Sequence, residues 1–242
     1  MTSPVTTVTA QPVVPVLAPA RGQGRRPSVL DRLGDSTLLE RLLVALREAG
    51  LPRPLILTTT DHASAFRAAV GSAGEVIVCP TPNRAAALAS ALEHSPASLF
   101  LIHDADRALT PVSVMREVLT ALTDDVDAVV PTVDVTDSVK EVQPQGLRNV
   151  DRSTLTTLQC PRLLRRDALQ RALEQLGADS SADPLRPICE ISAALDAGAR
   201  VRTVHGSHSG FAVNDRLSLW QAQIALGIER DTSHRHGLGR HR

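Results

Sequence analysis

Lysine is almost missing from this sequence. Lys140 is the only one, and arginine supplies the rest of the positive charge. Any chemistry that requires a lysine elsewhere is thereby excluded. Aromatic residues make up 2% of the chain and tyrosine is absent, which argues against stacking platforms for bases. Neither sign of charge is in excess, with 26 basic and 26 acidic residues, so nothing points to nucleic acid or an anionic membrane as a partner. No apolar run approaches the length of a membrane span. Cysteine is sparse too: Cys79, Cys160 and Cys189 do not lie within metal-ligand spacing of one another. An odd, scattered set suits a reducing compartment. The first twenty residues lack a basic region, and their apolar part is broken by prolines, although APA loosely mimics a cleavage site. The expectation is a cytoplasmic protein without a signal peptide.

What is present is a chain of 242 residues, 43% hydrophobic, long enough for one large α/β core. Residues 1–11, rich in Thr, Ser and Pro, read as a disordered tail, and 229–242 as a solvated one. One domain is expected over 12–228. Within it, short apolar runs alternate with helical patterns. Strands are predicted at Val13–Ala18, Leu55–Thr59, Glu75–Cys79, Leu99–His103, Ala128–Val133 and Val201–His205. Thr37 followed by Glu40 forms a capping box ahead of a helix with Leu38, Leu39, Leu42, Leu43 and Leu46 on its apolar face. Asp61 is read as the cap of a second helix, Asn83–His94 as a third, and Thr110-Pro111 as the cap and first residue of a fourth. Further helices are predicted at Arg165–Leu176, Ile188–Ala197 and Leu217–Leu226. This alternation implies a three-layer α/β fold with a mainly parallel sheet.

After Pro131 the rhythm changes. TVDVTDSVKEV and LRNVDRSTLTTL alternate apolar and polar residues around a QPQG turn. This reads as a protruding β-hairpin arm over about 133–160.

Ligands of open α/β sheets sit beyond the carboxyl ends of the strands. Two features fall there. The loop Ala20-Arg-Gly-Gln-Gly-Arg-Arg26 carries Gly22 and Gly24, whose backbone can approach phosphate, and Arg25 and Arg26, which add charge. The run LFLIHDADRALTP ends a strand in Asp104, Asp106 and Arg107. Asp104 could hold Mg²⁺ while Arg107 grips a phosphate. Equally, Asp104 could cap a turn while Arg107 pairs with Asp106 at the surface. Taken together, a phosphate loop and an acid at two strand ends suit nucleotidyl transfer.

The chain resembles the 2-C-methyl-D-erythritol 4-phosphate cytidylyltransferases of non-mevalonate isoprenoid synthesis over about Val13–Leu226. LIHDADRALTP is similar to the family's VHDAARP, AVVPTVDVTDSVKEV to its AVPVTDTIK segment, and NVDRSTL to its arm ending in DR. PARGQGRR and GDSTLLERLLVAL are weaker matches to PAAGxGxR and GxPLL. The resemblance implies a nucleotide-diphospho-sugar transferase (GT-A-like) fold and a homodimer that exchanges the arm. It implies CTP, or another nucleotide, and a sugar-alcohol phosphate as substrates, with Mg²⁺ as cofactor. By the same resemblance Arg26 is the loop arginine that stabilises pentavalent phosphorus, and Gly22, Gly24 and Arg25 line that loop. Asp104 binds metal and substrate, Arg107 and Ser138 bind substrate, and Arg152 reaches into the partner's active site.

The departures concern charge. Where the family has two lysines this chain has Ser28 and Ala212; Arg32 and Arg216 lie near those positions in sequence. The base-reading segment GGxxRxxSV is matched by CPTPNRAAAL, with Thr81 and Pro82 near the glycines and Ala87 at the serine. The family's TPQ is Cys160-Pro161-Arg162, and its TDEAS is Ile188-Cys189-Glu190-Ile191-Ser192. Loss of a preorganised cation at a developing charge typically costs about a hundredfold. The expectation is a divergent cytidylyltransferase with impaired activity. The alternatives are a non-catalytic homodimer with a regulatory or partner-binding role, or a transferase for another nucleotide or acceptor.

Overall fold

The computed structural model describes residues 9–17, 28–178 and 189–227. The chain opens with β1 (Gln11–Pro15), a small hairpin of β2 (Arg32–Leu33) and β3 (Ser36–Thr37), and α1 (Leu38–Glu48). Then come β4 (Leu55–Thr59), α2 (Thr60–Val70), β5 (Glu75–Cys79), α3 (Arg84–His94), β6 (Leu99–Ile102), α4 (Val112–Thr120) and β7 (Ala128–Asp134). A separate hairpin, β8 (Lys140–Gln143) with β9 (Gly146–Asn149), precedes β10 (Thr156–Leu158), β11 (Arg162–Arg165) and α5 (Arg166–Ala178). The remaining elements are α6 (Glu190–Asp196), β12 (Val201–His205) and α7 (Arg216–Ala225).

Eight strands form one sheet in the order β10-β7-β11-β6-β1-β4-β5, with β12 on the other side of β7. The pairs β1–β4, β1–β6, β4–β5 and β7–β12 are parallel. Period-two alternation sorts the strand residues between two cores. Val14, Ile56, Leu101, Val129 and Leu163 pack with α1 and α4 on one face. Val13, Leu55, Leu57, Phe100, Ile102, Ala128, Val130 and Leu164 pack with α3, α5 and α6 on the other. The sheet is therefore covered on both sides, as the apolar runs require.

The capping box forms as the sequence predicts: Glu40 N donates to Thr37 Oγ1 at 3.1 Å, and Thr37 N donates to Glu40 Oε2 at 2.7 Å. Asn83 Oδ1 likewise caps α3 through Ala86 N. Two predicted caps do not form. α2 begins at Thr60 after Thr59, with Asp61 inside its first turn, and α4 follows Pro111 without a side-chain cap. Thr110 instead turns its hydroxyl back to donate to Arg107 O at 2.9 Å, closing the turn that carries the acidic motif.

Two larger corrections concern the segment after β7. The eight residues of β8 and β9 form a hairpin, but it is shorter than the alternating pattern suggested. β10 returns to the main sheet, antiparallel to β7. β11 carries no strand signal in the sequence, yet it lies antiparallel between β6 and β7. Its RLLR pattern has only two apolar residues, both fully buried because neighbours cover each face. At the amino end, Gln11 already belongs to β1 rather than to a tail.

Candidate active site

The reversed direction of β11 brings its first residue, Arg162, opposite Ile102 at the carboxyl end of β6. The next residues of the β6 segment are His103 and Asp104. α3 and α6 bring their first residues, Arg84 and Glu190, to the same edge. Four charges meet there. Arg84 Nη2 lies 2.7 Å from Asp104 Oδ1 and 3.0 Å from Glu190 Oε1. Arg162 lies 2.9 Å from Glu190 Oε1 through Nη1 and 3.3 Å from Asp104 Oδ2 through Nη2. The Cys160 thiol donates to Asp104 Oδ2 at 3.1 Å. Two carboxylates and two guanidiniums sum to zero. That balance makes the burial possible, since a lone charge at the fully buried Glu190 would carry a cost of several kcal/mol.

Electrostatics follow from this geometry. Burial alone would raise the Asp104 carboxyl, but Arg84 and Arg162 outweigh it and hold the group well below the ordinary carboxylate range. Glu190 is lowered against the same burial by the same two arginines. Burial pushes the Cys160 thiol far up, and the Asp104 charge adds to that, so it stays a protonated donor. His103 is fully buried and lowered to about 4, chiefly by desolvation. Its Nδ1 lies 3.0 Å from Asp104 O, so Nδ1 carries the proton and Nε2 carries the lone pair.

The motif's second acid and its arginine do not pair as a surface couple. Arg107 Nη1 donates to Gly210 O at 2.7 Å, and Asp106 O accepts from Val213 N at 2.8 Å. Both therefore hold the loop after β12. Gln159, itself buried, holds it too, accepting from Ser207 N and donating to Ser207 O, each at 2.9 Å. A side chain at Gly206 would press within 2.3 Å of Gln159 Oε1, so the clamp needs glycine there.

The expected site residues fall into three groups. Asp104 and Arg107 lie at this edge. Ser138 and Arg152 are exposed, Arg152 donating to Thr136 O near the hairpin. Gly22, Gly24, Arg25 and Arg26 lie outside the described residues. Ser28 is exposed, with its hydroxyl accepting from Leu30 N. Arg32 and Arg216 are exposed, at β2 and at the start of α7. Sequence reasoning missed the roles of Arg84, Arg162, Glu190 and Cys160. The available signal was a charged residue leading each of three apolar runs, RAAAL, RLLR and EISAAL.

Breaking the quartet exposes its cost. Glu190→Ala is expected to lower the unfolding free energy by roughly 3–5 kcal/mol, because it leaves excess positive charge buried. Urea denaturation at pH 7 measures this, and a loss under about 1 kcal/mol contradicts the proposed balance. The pH profile is a second check. A histidine whose folded pKa lies below its unfolded value penalises folding on acidification. Stability should therefore fall from about pH 6.5 towards pH 4 as the unfolded state takes up the extra proton. His103→Asn should flatten that window, and an unchanged slope would remove His103 as its source.

Comparison with known proteins agrees with this architecture. The family model for 2-C-methyl-D-erythritol 4-phosphate cytidylyltransferase matches residues 14–228. A protein of that name from Saccharopolyspora erythraea is 32% identical over 228 residues, covering 88% of this chain and 99% of the relative. One from Rhodococcus jostii is 30% identical over 223 residues, covering 89% and 95%. Among solved structures, the Thermus thermophilus cytidylyltransferase superposes with a TM-score of 0.72 at 21% identity, covering 89% of this chain and 98% of that one. The synthase from Anaerococcus prevotii gives 0.75 at 15% identity, covering 90% and 98%. These structures share the mostly parallel central sheet with flanking helices, and the chain belongs to the 2-C-methyl-D-erythritol 4-phosphate cytidylyltransferase family.

Proposed function

We propose that the protein transfers the cytidylyl group of CTP to 2-C-methyl-D-erythritol 4-phosphate, at a reduced rate, as a cytoplasmic homodimer. The observation that carries this reading is the β6 tip. An ionised Asp104 is locked between two arginines beside Arg107, in the run most similar to the family's motif. In the reaction an oxygen of the acceptor phosphate attacks the α-phosphorus of CTP. That P–O bond forms as the bond to the bridging oxygen breaks, and pyrophosphate leaves. The pentavalent phosphorus gathers negative charge, and stabilising it is the role that the resemblance gives Arg26.

The reduced rate follows from charge. Ser28 and Ala212 bring no cation where two are expected, and each such loss typically costs about a hundredfold when independent. Magnesium is the cofactor the resemblance implies, but the described residues do not fit a metal held by the protein's own carboxylates. Both Asp104 oxygens already face guanidinium or thiol groups, and no group of three His, Cys, Asp or Glu side chains among the described residues could hold an ion. A magnesium ion accompanying CTP would be held chiefly by the triphosphate's own oxygens and water.

The dimer reading draws on the hairpin. Val142 and Leu147 form a cross-strand pair and are 83% and 70% exposed. An apolar pair so open is better placed against a second copy, with Arg152 and Ser138 carried toward the partner's site. No helix among the described residues is long and apolar enough to cross a membrane. The missing cations favour one second reading, a non-catalytic homodimer.

The first measurement separates these readings, and a second tests the dimer that both assume. Purified protein with CTP, 2-C-methyl-D-erythritol 4-phosphate and Mg²⁺ should release pyrophosphate, and Arg152→Ala should cut that release by about a hundredfold. Absence of release in the unmodified protein supports the non-catalytic reading and overturns the enzymatic one. Sedimentation at micromolar concentration should give a dimer, and Val142→Asp should shift it toward monomer. A monomeric unmodified protein contradicts the arm-exchange proposal.

A further inference from the structure

Unsatisfied polar atoms concentrate at one corner of the molecule. Among the described residues, six buried side-chain nitrogen or oxygen atoms have no hydrogen-bond partner, and four of them belong to His103, Asp104, Asp106 and Arg162. Buried polar atoms in folded proteins are almost always satisfied, so such a concentration marks a place where something else completes the bonding. The types of atom say what that is. Asp106 Oδ1 accepts hydrogen bonds. His103 Nε2 is also an acceptor, because Nδ1 carries the proton. Asp104 Oδ1 has the Arg84 charge beside it but no aligned donor. Only Arg162 Nε offers a hydrogen. The corner therefore wants donors, and a phosphate group brings only acceptors and negative charge.

Asp106 is the member of this set that can meet a ligand. His103 is fully buried, and Asp104 is engaged by two arginines and a thiol. Asp106 Oδ1 is shielded from solvent, but the residue is only half-buried and no protein donor among the described residues reaches its other carboxylate oxygen; the nearby arginine does not claim it, because Arg107 is bound to the loop carbonyl of Gly210. Its backbone is fixed through Val213 N, in the loop that carries Ala212. The side chain thus stands at a rigid place, next to a position without charge, with an acceptor to spare.

We propose that Asp106 determines specificity by accepting a hydrogen bond from a substrate hydroxyl, so that this corner receives the hydroxylated part of a substrate and excludes phosphate. The inference rests on the cytidylyl-transfer reading and refines it. Two substrate parts carry such hydroxyls, the polyol backbone of the acceptor and the ribose of the nucleotide. At this position the family motif VHDAARP has an alanine, so the contact is a property of this chain.

The test is steady-state kinetics of Asp106→Ala and Asp106→Asn, varying CTP and 2-C-methyl-D-erythritol 4-phosphate separately, with calorimetric titration of each substrate and thermal melting alongside. Asp106→Ala should raise the KM and the dissociation constant of one substrate about tenfold or more while kcat stays within about threefold. Asp106→Asn keeps an acceptor oxygen and should recover much of that loss. A rise confined to the acceptor assigns the polyol. A rise confined to CTP, with discrimination against dCTP lost, assigns the ribose. If the unmodified protein is active but Asp106→Ala leaves both KM values within twofold, the inference fails and the function stands. A similar rise for both substrates, or a lowered melting temperature with unchanged affinities, also overturns it, since a structural role would do the same. An unmodified protein that binds neither substrate and releases no pyrophosphate overturns both.

Discussion

Electroneutrality at a buried edge is the constraint around which this structure is arranged. Glu190 has no exposure to solvent, so its charge needs compensation from protein groups. Arg84 and Arg162 provide it, and Asp104 balances them in turn. The four sit at the start of α3, the start of α6, the start of β11 and just past the end of β6. Removing one member leaves a net charge inside the protein, so the four elements are held in register by electrostatics as well as by apolar contact. Glu190 gains further support as the first residue of a helix, where a negative charge faces the positive end of the peptide dipoles.

The antiparallel strand β11 makes this arrangement possible. A parallel strand would place its first residue at the far edge of the sheet. Running in reverse, β11 sets Arg162 and the preceding Cys160 beside the carboxyl end of β6. A second set of polar contacts then fixes the loop after β12. Gln159, Arg107 and the backbone of Asp106 grip it through Ser207, Gly210 and Val213. The motif HDADR thus serves two purposes. Asp104 faces inward to the charge quartet, while the turn at 105–107 buttresses the loop on its other side.

Much of this was legible in the sequence because it depends on local periodicity. The apolar runs at Leu55–Thr59, Glu75–Cys79 and Val201–His205 coincide with strands, and the capping box at Thr37 and Glu40 starts its helix where expected. Strand β11 was opaque because four residues with two buried leucines carry too little pattern to distinguish them from the start of the following helix. The quartet was opaque for another reason. Arg84 and Glu190 are 106 positions apart, and no local rule brings them together. Asp104 could be singled out as a charge ending a buried strand, but its partners required the fold. The reading of Asp61 as a cap erred by two residues, because Thr59 ends a buried strand and the helix starts immediately after it.

The hairpin contains the chain's one lysine. Lys140 Nζ donates to Asn149 Oδ1 at 2.7 Å across the base of β8 and β9. Apart from the chain's α-amino group, a reagent that couples to amines has a single target here, on the exposed ribbon where Val142 and Leu147 also stand. The composition thus gives the molecule a built-in attachment point for a fluorophore or a crosslinker, without engineering, at the element whose surroundings would change most on self-association.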